Sequence, residues 1–85
     1  MVLLIIGDMM EEIKALNLIE MELFSLLLKN RGNIVSQDSI RQFLDSNSKN
    51  GDNYIYYINK LRKKLLQSGF SHIIVTKRGV GYIIL

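Results

Sequence analysis

The chain opens on a continuous apolar run, Val2–Ile6, rich in branched side chains. Gly7-Asp8 follows as a turn, and Glu12-Ile13-Lys14-Ala15-Leu16 then alternates polar with apolar. A run and an alternation joined by a turn predict an N-terminal β-hairpin over 2–16. After it the period changes. Leu23, Phe24, Leu27 and Leu28 have the spacing of one helix face. Asn17-Leu18-Ile19-Glu20 has the spacing of a capping box, in which Asn17 accepts from the amide of Glu20 and the Glu20 side chain reaches back. Leu16, just ahead of the cap, can pack on Met21 as a hydrophobic staple. Lys29 and Arg31 suit the negative helix end, and Gly32 can take the left-handed stop. The first helix is therefore expected over 17–30.

Ile34-Val35 reads as a short extended connector. Ser36 is a good N-cap, Asp38 suits the positive end of a helix, and Ile40, Phe43 and Leu44 make a short stripe. These predict a second helix over 37–45. The polar stretch 46–51 is a loop by composition. Asp52 or Asn53 can cap a third helix reaching Ser68. In it Tyr54, Ile58, Leu61 and Leu65 fall within a sector of ~60° and form the core stripe. The opposite side carries Tyr56, Asn59, Lys60, Lys63 and Gln67, with Tyr57 and Lys64 on one flank. Gly69 ends the helix. His72–Thr76 is an expected strand, 77–81 a turn in which Gly79 and Gly81 permit positive φ, and Tyr82–Leu85 the returning strand. The order is hairpin, three helices, hairpin. This is one α+β domain over 1–85, divided 2–16, 17–68 and 72–85, with no internal boundary.

Composition narrows the function. At 85 residues and 48% hydrophobic, the chain has material for a single core. It has no cysteine and one histidine, His72, which excludes disulfides and thiolate metal sites and leaves no metal centre. No apolar run reaches the ~18–20 residues that span a bilayer, and Val2–Ile6 is too short for a signal-peptide core. A soluble cytoplasmic domain is the expectation. Charge changes the picture more. All eight acids lie at or before Asp52, so residues 1–52 carry −3. Beyond it come Lys60, Arg62, Lys63, Lys64, Lys77 and Arg78 with no acid, so residues 53–85 carry +6. A net charge of only +3 hides a strongly basic C-terminal third, which points to a polyanion partner.

The third helix is the sharpest element. A helix ~10–12 Å across fits the DNA major groove. Its lysines offer charge to phosphates or to guanine O6/N7, and Asn59 can pair with adenine. Set against this is a solvated basic face on an ordinary amphipathic helix. Lys77 and Arg78 sit at a slim hairpin tip, and an arginine there can enter a minor groove; the bland alternative is a charged solubilising turn. Tyr54 belongs to the core stripe, Tyr56 and Tyr57 to the cationic side, and packing under the hairpin is the structural alternative for Tyr57. His72 reads as a surface residue. Glu11, Glu12, Glu20 and Glu22 read as a turn, a cap and an exposed helix face, and no catalytic, phosphate-loop or metal-ligand spacing is present.

These elements in this order resemble the winged helix-turn-helix effector domain of the OmpR/PhoB response regulators of two-component systems. Leu16-Asn17-x-x-Glu20-x-x-Leu23-Phe24-x-x-Leu27 is similar to that family's first helix, L-T-x-x-E-x-x-L-L-x-x-L. Arg31-Gly32-x-Ile34-Val35-Ser36 resembles its R-G-x-V-V-S connector, and Tyr57–Leu65 its recognition-helix pattern around I-x-x-L-R-x-K-L. Thr76-Lys77-Arg78-Gly79-Val80-Gly81-Tyr82 resembles the wing signature T-x-R-G-x-G-Y. The four motifs stand in register from about residue 2 to the end. The resemblance implies a transcription factor with its third helix in the major groove and its wing in the adjacent minor groove. Carried over by position, the DNA-contacting candidates are Asn53, Tyr56, Tyr57, Asn59, Lys60, Arg62, Thr76 and Arg78, and the charge pattern adds Lys63, Lys64 and Lys77. Ser46, Asn47, Ser48, Lys49, Asn50 and Gly51 correspond to the loop with which family members touch RNA polymerase. Head-to-tail pairing of two copies on direct repeats is implied, with no cofactor, membrane or small-molecule substrate. Family members carry a receiver domain ahead of this module; none is expected within residues 1–85, whether the chain is an excised fragment or a stand-alone regulator. Asp52 and Asn59 stand where basic residues are frequent, and Tyr56 where a small aliphatic is usual.

The reading is thus a sequence-specific double-stranded DNA-binding domain without catalytic activity. If ~4–6 cations engage phosphates, log K falls with log salt at a slope of about −4 to −5. The rival from another class is a winged-helix protein-interaction module whose basic face meets an acidic partner. RNA is disfavoured, because a helix cannot enter the deep, narrow major groove of its A-form duplex.

Overall fold

The computed structural model describes residues 16–70 and 72–85. The N-terminal hairpin expected over 2–16 lies outside them apart from Leu16. Helix α1 spans Leu18–Lys29, strand β1 Val35–Ser36 and helix α2 Gln37–Ser46. A short 3-10 turn, Gly51–Asn53, leads into helix α3, Tyr54–Gln67; strands β2, Ile74–Lys77, and β3, Gly81–Ile84, follow. The three strands form one antiparallel sheet in the order β1-β3-β2.

Local chemistry sets the helix starts. At α1 the capping box is complete: Asn17 Oδ1 accepts from the Glu20 amide at 3.0 Å, and Glu20 Oε1 accepts from the Asn17 amide at 3.0 Å. Ser36 caps α2 by accepting from the Ser39 amide at 3.0 Å. The cap expected at Asp52 or Asn53 is not made by either side chain. Asn50 caps the 3-10 turn instead, accepting from the Asp52 amide at 3.0 Å, and that turn delivers the chain into α3 already helical.

Apolar faces then decide the packing. Leu23, Phe24 and Leu27 of α1, Ile40 and Leu44 of α2, and Ile58, Leu61 and Leu65 of α3 are buried together with Leu16, Val35 and strand residues Ile74, Tyr82 and Ile84. The α3 stripe expected from periodicity is the buried one, and Tyr54 and Tyr57 pack at its margin. Burying each such side chain contributes ~1.5–3 kcal/mol, so the orientation of α3 about its own axis is fixed by its sequence.

The sheet differs from the expected two-stranded wing. Val35–Ser36 is not a mere connector: Val35 pairs with Tyr82 and Ser36 with Gly81. The Gly32 amide donates to the Ile84 carbonyl at 2.7 Å, closing the same side. Gly81 is therefore not a turn residue at positive φ. A Cβ there would run into the Val35 carbonyl oxygen, so glycine lets β1 approach β3. Gly79 does take the left-handed conformation, at φ 74°. The second strand starts two residues later than expected, because His72, exposed, is itself left-handed at φ 61°.

Candidate nucleic-acid interface

Helix α3 is held on two flanks, and what lies between them faces outward. Residues two apart on a helix point roughly 200° apart, and Arg62 and Lys64 use that separation. On one flank the Arg62 guanidinium donates to the Ile74 carbonyl at 2.9 Å and to Thr76 Oγ1 at 2.6 Å, tying α3 to β2. On the other, Lys64 Nζ donates to Glu20 Oε1 at 2.6 Å, tying α3 to α1. Between them Tyr56, Asn59, Lys60, Lys63 and Gln67 are all exposed.

Three of the side chains expected to contact DNA, Lys64, Arg62 and Thr76, also have partners within the domain. Lys64, expected among the phosphate contacts, is committed to Glu20. Glu20, expected to do no more than cap α1, is buried at 1% exposure, and its Oε1 serves both the cap and the ion pair. Arg62 and Thr76, expected to touch DNA, are bonded to each other. Arg62 is half-buried over the Tyr82 ring, its guanidinium carbon 5.4 Å from the centroid. The carboxylate and the hydroxyl that engage these two side chains lie 44 and 14 residues away in sequence, and helical periodicity carries no signal for either.

Of the remaining candidates all but Tyr57 are exposed. Lys60, Lys63, Lys77 and Arg78 are exposed and make no ion pair among the described residues. Asn53, at the junction of the 3-10 turn and α3, is exposed, and its side chain makes no cap bond. Tyr57 is half-buried against the core, and the Tyr56 ring meets it edge-on at 5.3 Å. Lys60 Nζ lies 5.3 Å from the Tyr56 ring centroid, and the Tyr56 phenol beside it holds the ammonium pKa above the ordinary lysine value.

The β2–β3 turn is on the same side of the molecule as the start of α3. A depression there is lined by Tyr54 and Ile55 of α3, Gln37 of α2, Thr76 and Lys77 at the end of β2, and the turn residues Arg78 and Gly79. Tyr54 is anchored by its hydroxyl, which donates to Gln37 Oε1 at 2.8 Å. Ile55 was missed by the sequence reading. It is 52% exposed beside the turn, on the flank that Arg62 shares, and its angular position outside the core stripe was the available signal. Ser46, expected in the loop, is the last residue of α2, and it and the loop residues 47–50 are exposed. Gly51 is buried, its amide donating to Asp45 Oδ1 at 2.8 Å, and a Cβ there would meet the Arg41 carbonyl oxygen at 2.5 Å. It belongs to the scaffold of the loop and not to the loop surface. Among the described residues no acidic or histidine cluster could hold a metal, and no helix is long and apolar enough to cross a membrane.

A three-helix core with a small antiparallel sheet whose last hairpin stands beside the third helix is a winged helix. The chain belongs to the family described as Transcriptional regulatory protein, C terminal, whose model matches residues 11–84. This is a family of DNA-binding transcription regulators of the OmpR/PhoB type and not a class of enzymes. Among solved structures the chain is similar to the C-terminal domain of the nisin resistance regulator NsrR, a lantibiotic response regulator. The identity is 32%, the match covers 81% of this chain and 72% of that one, and the TM-score is 0.69. No curated protein matches the sequence.

Proposed function

We propose that this domain binds double-stranded DNA sequence-specifically, with α3 in the major groove and the β2–β3 turn at the adjacent minor groove. The observation that carries the reading is the division of labour on α3. Two cationic side chains fasten the helix to its neighbours, while Lys60 and Lys63 stay exposed on the face between, on a molecule whose wing turn presents Lys77 and Arg78. Base reading falls to the outward residues Asn53, Asn59 and Lys60, with Tyr56 on the same face beside Lys60. Lys63, Lys77 and Arg78 supply phosphate or minor-groove contacts. Arg62, Lys64 and Thr76 hold the geometry. Exposed residues Ser46–Asn50 are available to RNA polymerase, and two copies would lie head-to-tail on a direct repeat.

With Lys60 turned to a base and Arg62 and Lys64 engaged within the domain, three cations at most meet phosphates, and log K falls against log salt at about −2.7. The test is selection of bound duplexes from a random pool, followed by affinity measurement on the selected and scrambled sequences across several salt concentrations. A recovered motif, bound at least ~100-fold more tightly than scrambled duplex, supports the reading. Equal binding to both would contradict it and favour an acidic protein partner for the same face.

A further inference from the structure

Lys60 differs from the other accessible cations of the interface in having a platform. Tyr56 lies one helical turn before it, with the ring under the ammonium at 5.3 Å. That ring is itself braced: it meets Tyr57 edge-on at 5.3 Å with an interplanar angle of 84°, and Tyr57 packs against the buried core. A path of contacts thus runs from the core through Tyr57 and Tyr56 to a charge on the exposed face. No aromatic ring lies under Lys63 or Lys77 among the described residues.

We infer that Tyr56 is a positioning residue for DNA readout, its ring holding the Lys60 ammonium in one orientation so that Lys60 addresses a single base-edge acceptor pair instead of wandering among phosphates. A free lysine has a long, flexible stem and a compact charge without directional preference, which makes it a poor base reader compared with the planar fork of arginine. A cation held over a ring face loses much of that freedom before binding, and pre-organisation of this kind favours the one acceptor arrangement it matches. Guanine, with O6 and N7 both open to the major groove, is the base such an ammonium fits. The inference rests on the proposed DNA reading and adds to it a residue that acts through its neighbour.

Two measurements test it on the same protein. The first needs no DNA. In the free domain the ε-methylene protons of Lys60 should show an upfield ring-current shift in NMR spectra, retained in Tyr56→Phe and lost in Tyr56→Leu. The second uses the duplex selected by the wild-type domain and variants of it at each base pair. Lys60→Ala should abolish discrimination at one G·C pair. Tyr56→Leu should weaken discrimination at that same pair by about 3–5-fold, the weight of an exposed cation–π contact. Tyr56→Phe should restore it, and Tyr56→Leu should add nothing in the Lys60→Ala background. Matching thermal unfolding midpoints check that the variants remain folded. An absent ring-current shift overturns the inference, as does full discrimination by Tyr56→Leu or losses that add in the double variant. A wild-type domain without any sequence preference would instead overturn the DNA reading beneath it, with the ring-current result still standing.

Discussion

Lys64 Nζ lies 2.6 Å from Glu20 Oε1, and the carboxylate is almost wholly enclosed while the lysine side chain keeps 23% of its surface in water. The pair joins the first helix to the third at the point where α3 turns its basic side outward. Removing the lysine strands a charged carboxylate in the core margin, whereas neutralising the carboxylate lets the lysine turn to solvent. Lys64→Met should therefore destabilise by about 2–3 kcal/mol, below the full cost of breaking a deeply buried pair because the lysine is partly hydrated. Glu20→Gln, which keeps the capping acceptor, should cost less. Urea denaturation of both variants measures the order. Because Lys64 is engaged at home, Lys64→Met should also leave the salt slope of DNA binding unchanged, whereas Lys63→Ala should lower it by about 1.

The wing depends on Arg62. Its two bonds, to the Ile74 carbonyl and to Thr76 Oγ1, are charge-assisted, and hydrogen bonds of that kind contribute ~1.5–3 kcal/mol. Arg62→Ala should release β2 locally, with faster amide hydrogen exchange over residues 74–77 than elsewhere in the domain. Thr76→Val removes one of the two acceptors and should give a smaller change confined to the same strand. Equal acceleration over the whole domain would mean that the contact supports global folding and not the placement of the wing.

The two wing glycines should respond differently. Gly79 needs a left-handed backbone but has open space around it, so Gly79→Ala should cost about 1–2 kcal/mol. Gly81 has an ordinary backbone but no room, since any side chain meets β1. Gly81→Ala must separate β1 from β3 and should be the more damaging of the two. Thermal unfolding ranks them, and the reverse order would contradict the pairing of Val35–Ser36 with β3.

Those glycines show where sequence reasoning reached and where it stopped. The capping box at Asn17 and Glu20 and the Ser36 cap are local patterns and are present as read; of the stripe read as Tyr54, Ile58, Leu61 and Leu65, the last three are buried and Tyr54 is only partly so. The roles of Gly81, Glu20 and Arg62 depend on partners brought close only by the fold. The helix periodicity could say which side of α3 faces out, but not which cations at its edges are claimed by α1 and β2. The Asn50 cap escaped because a 3-10 turn precedes the helix and shifts the capping position three residues upstream.

Tyr82 gives a pH signature. Burial, reinforced by Tyr54 nearby, raises its phenol pKa above the usual 10.0, with Arg62 pulling the other way. A phenol that holds its proton more tightly when folded contributes stability fully present below pH ~10, and that stability is lost as pH rises through the folded pKa. The domain should therefore weaken on going from pH 9 to pH 11. Tyr82→Phe should weaken less over that interval, and identical profiles for the two proteins would exclude the phenol as the cause.

Whether α3 and the wing meet DNA is read from an NMR titration of the isotope-labelled domain with its selected duplex, following every backbone amide. Shifts should concentrate on residues 53–63 and on residues 76–80 of the wing, with α1 unmoved. Shifts centred on the outer face of α1, with residues 59–63 and 78 unaffected, would contradict that placement of the DNA.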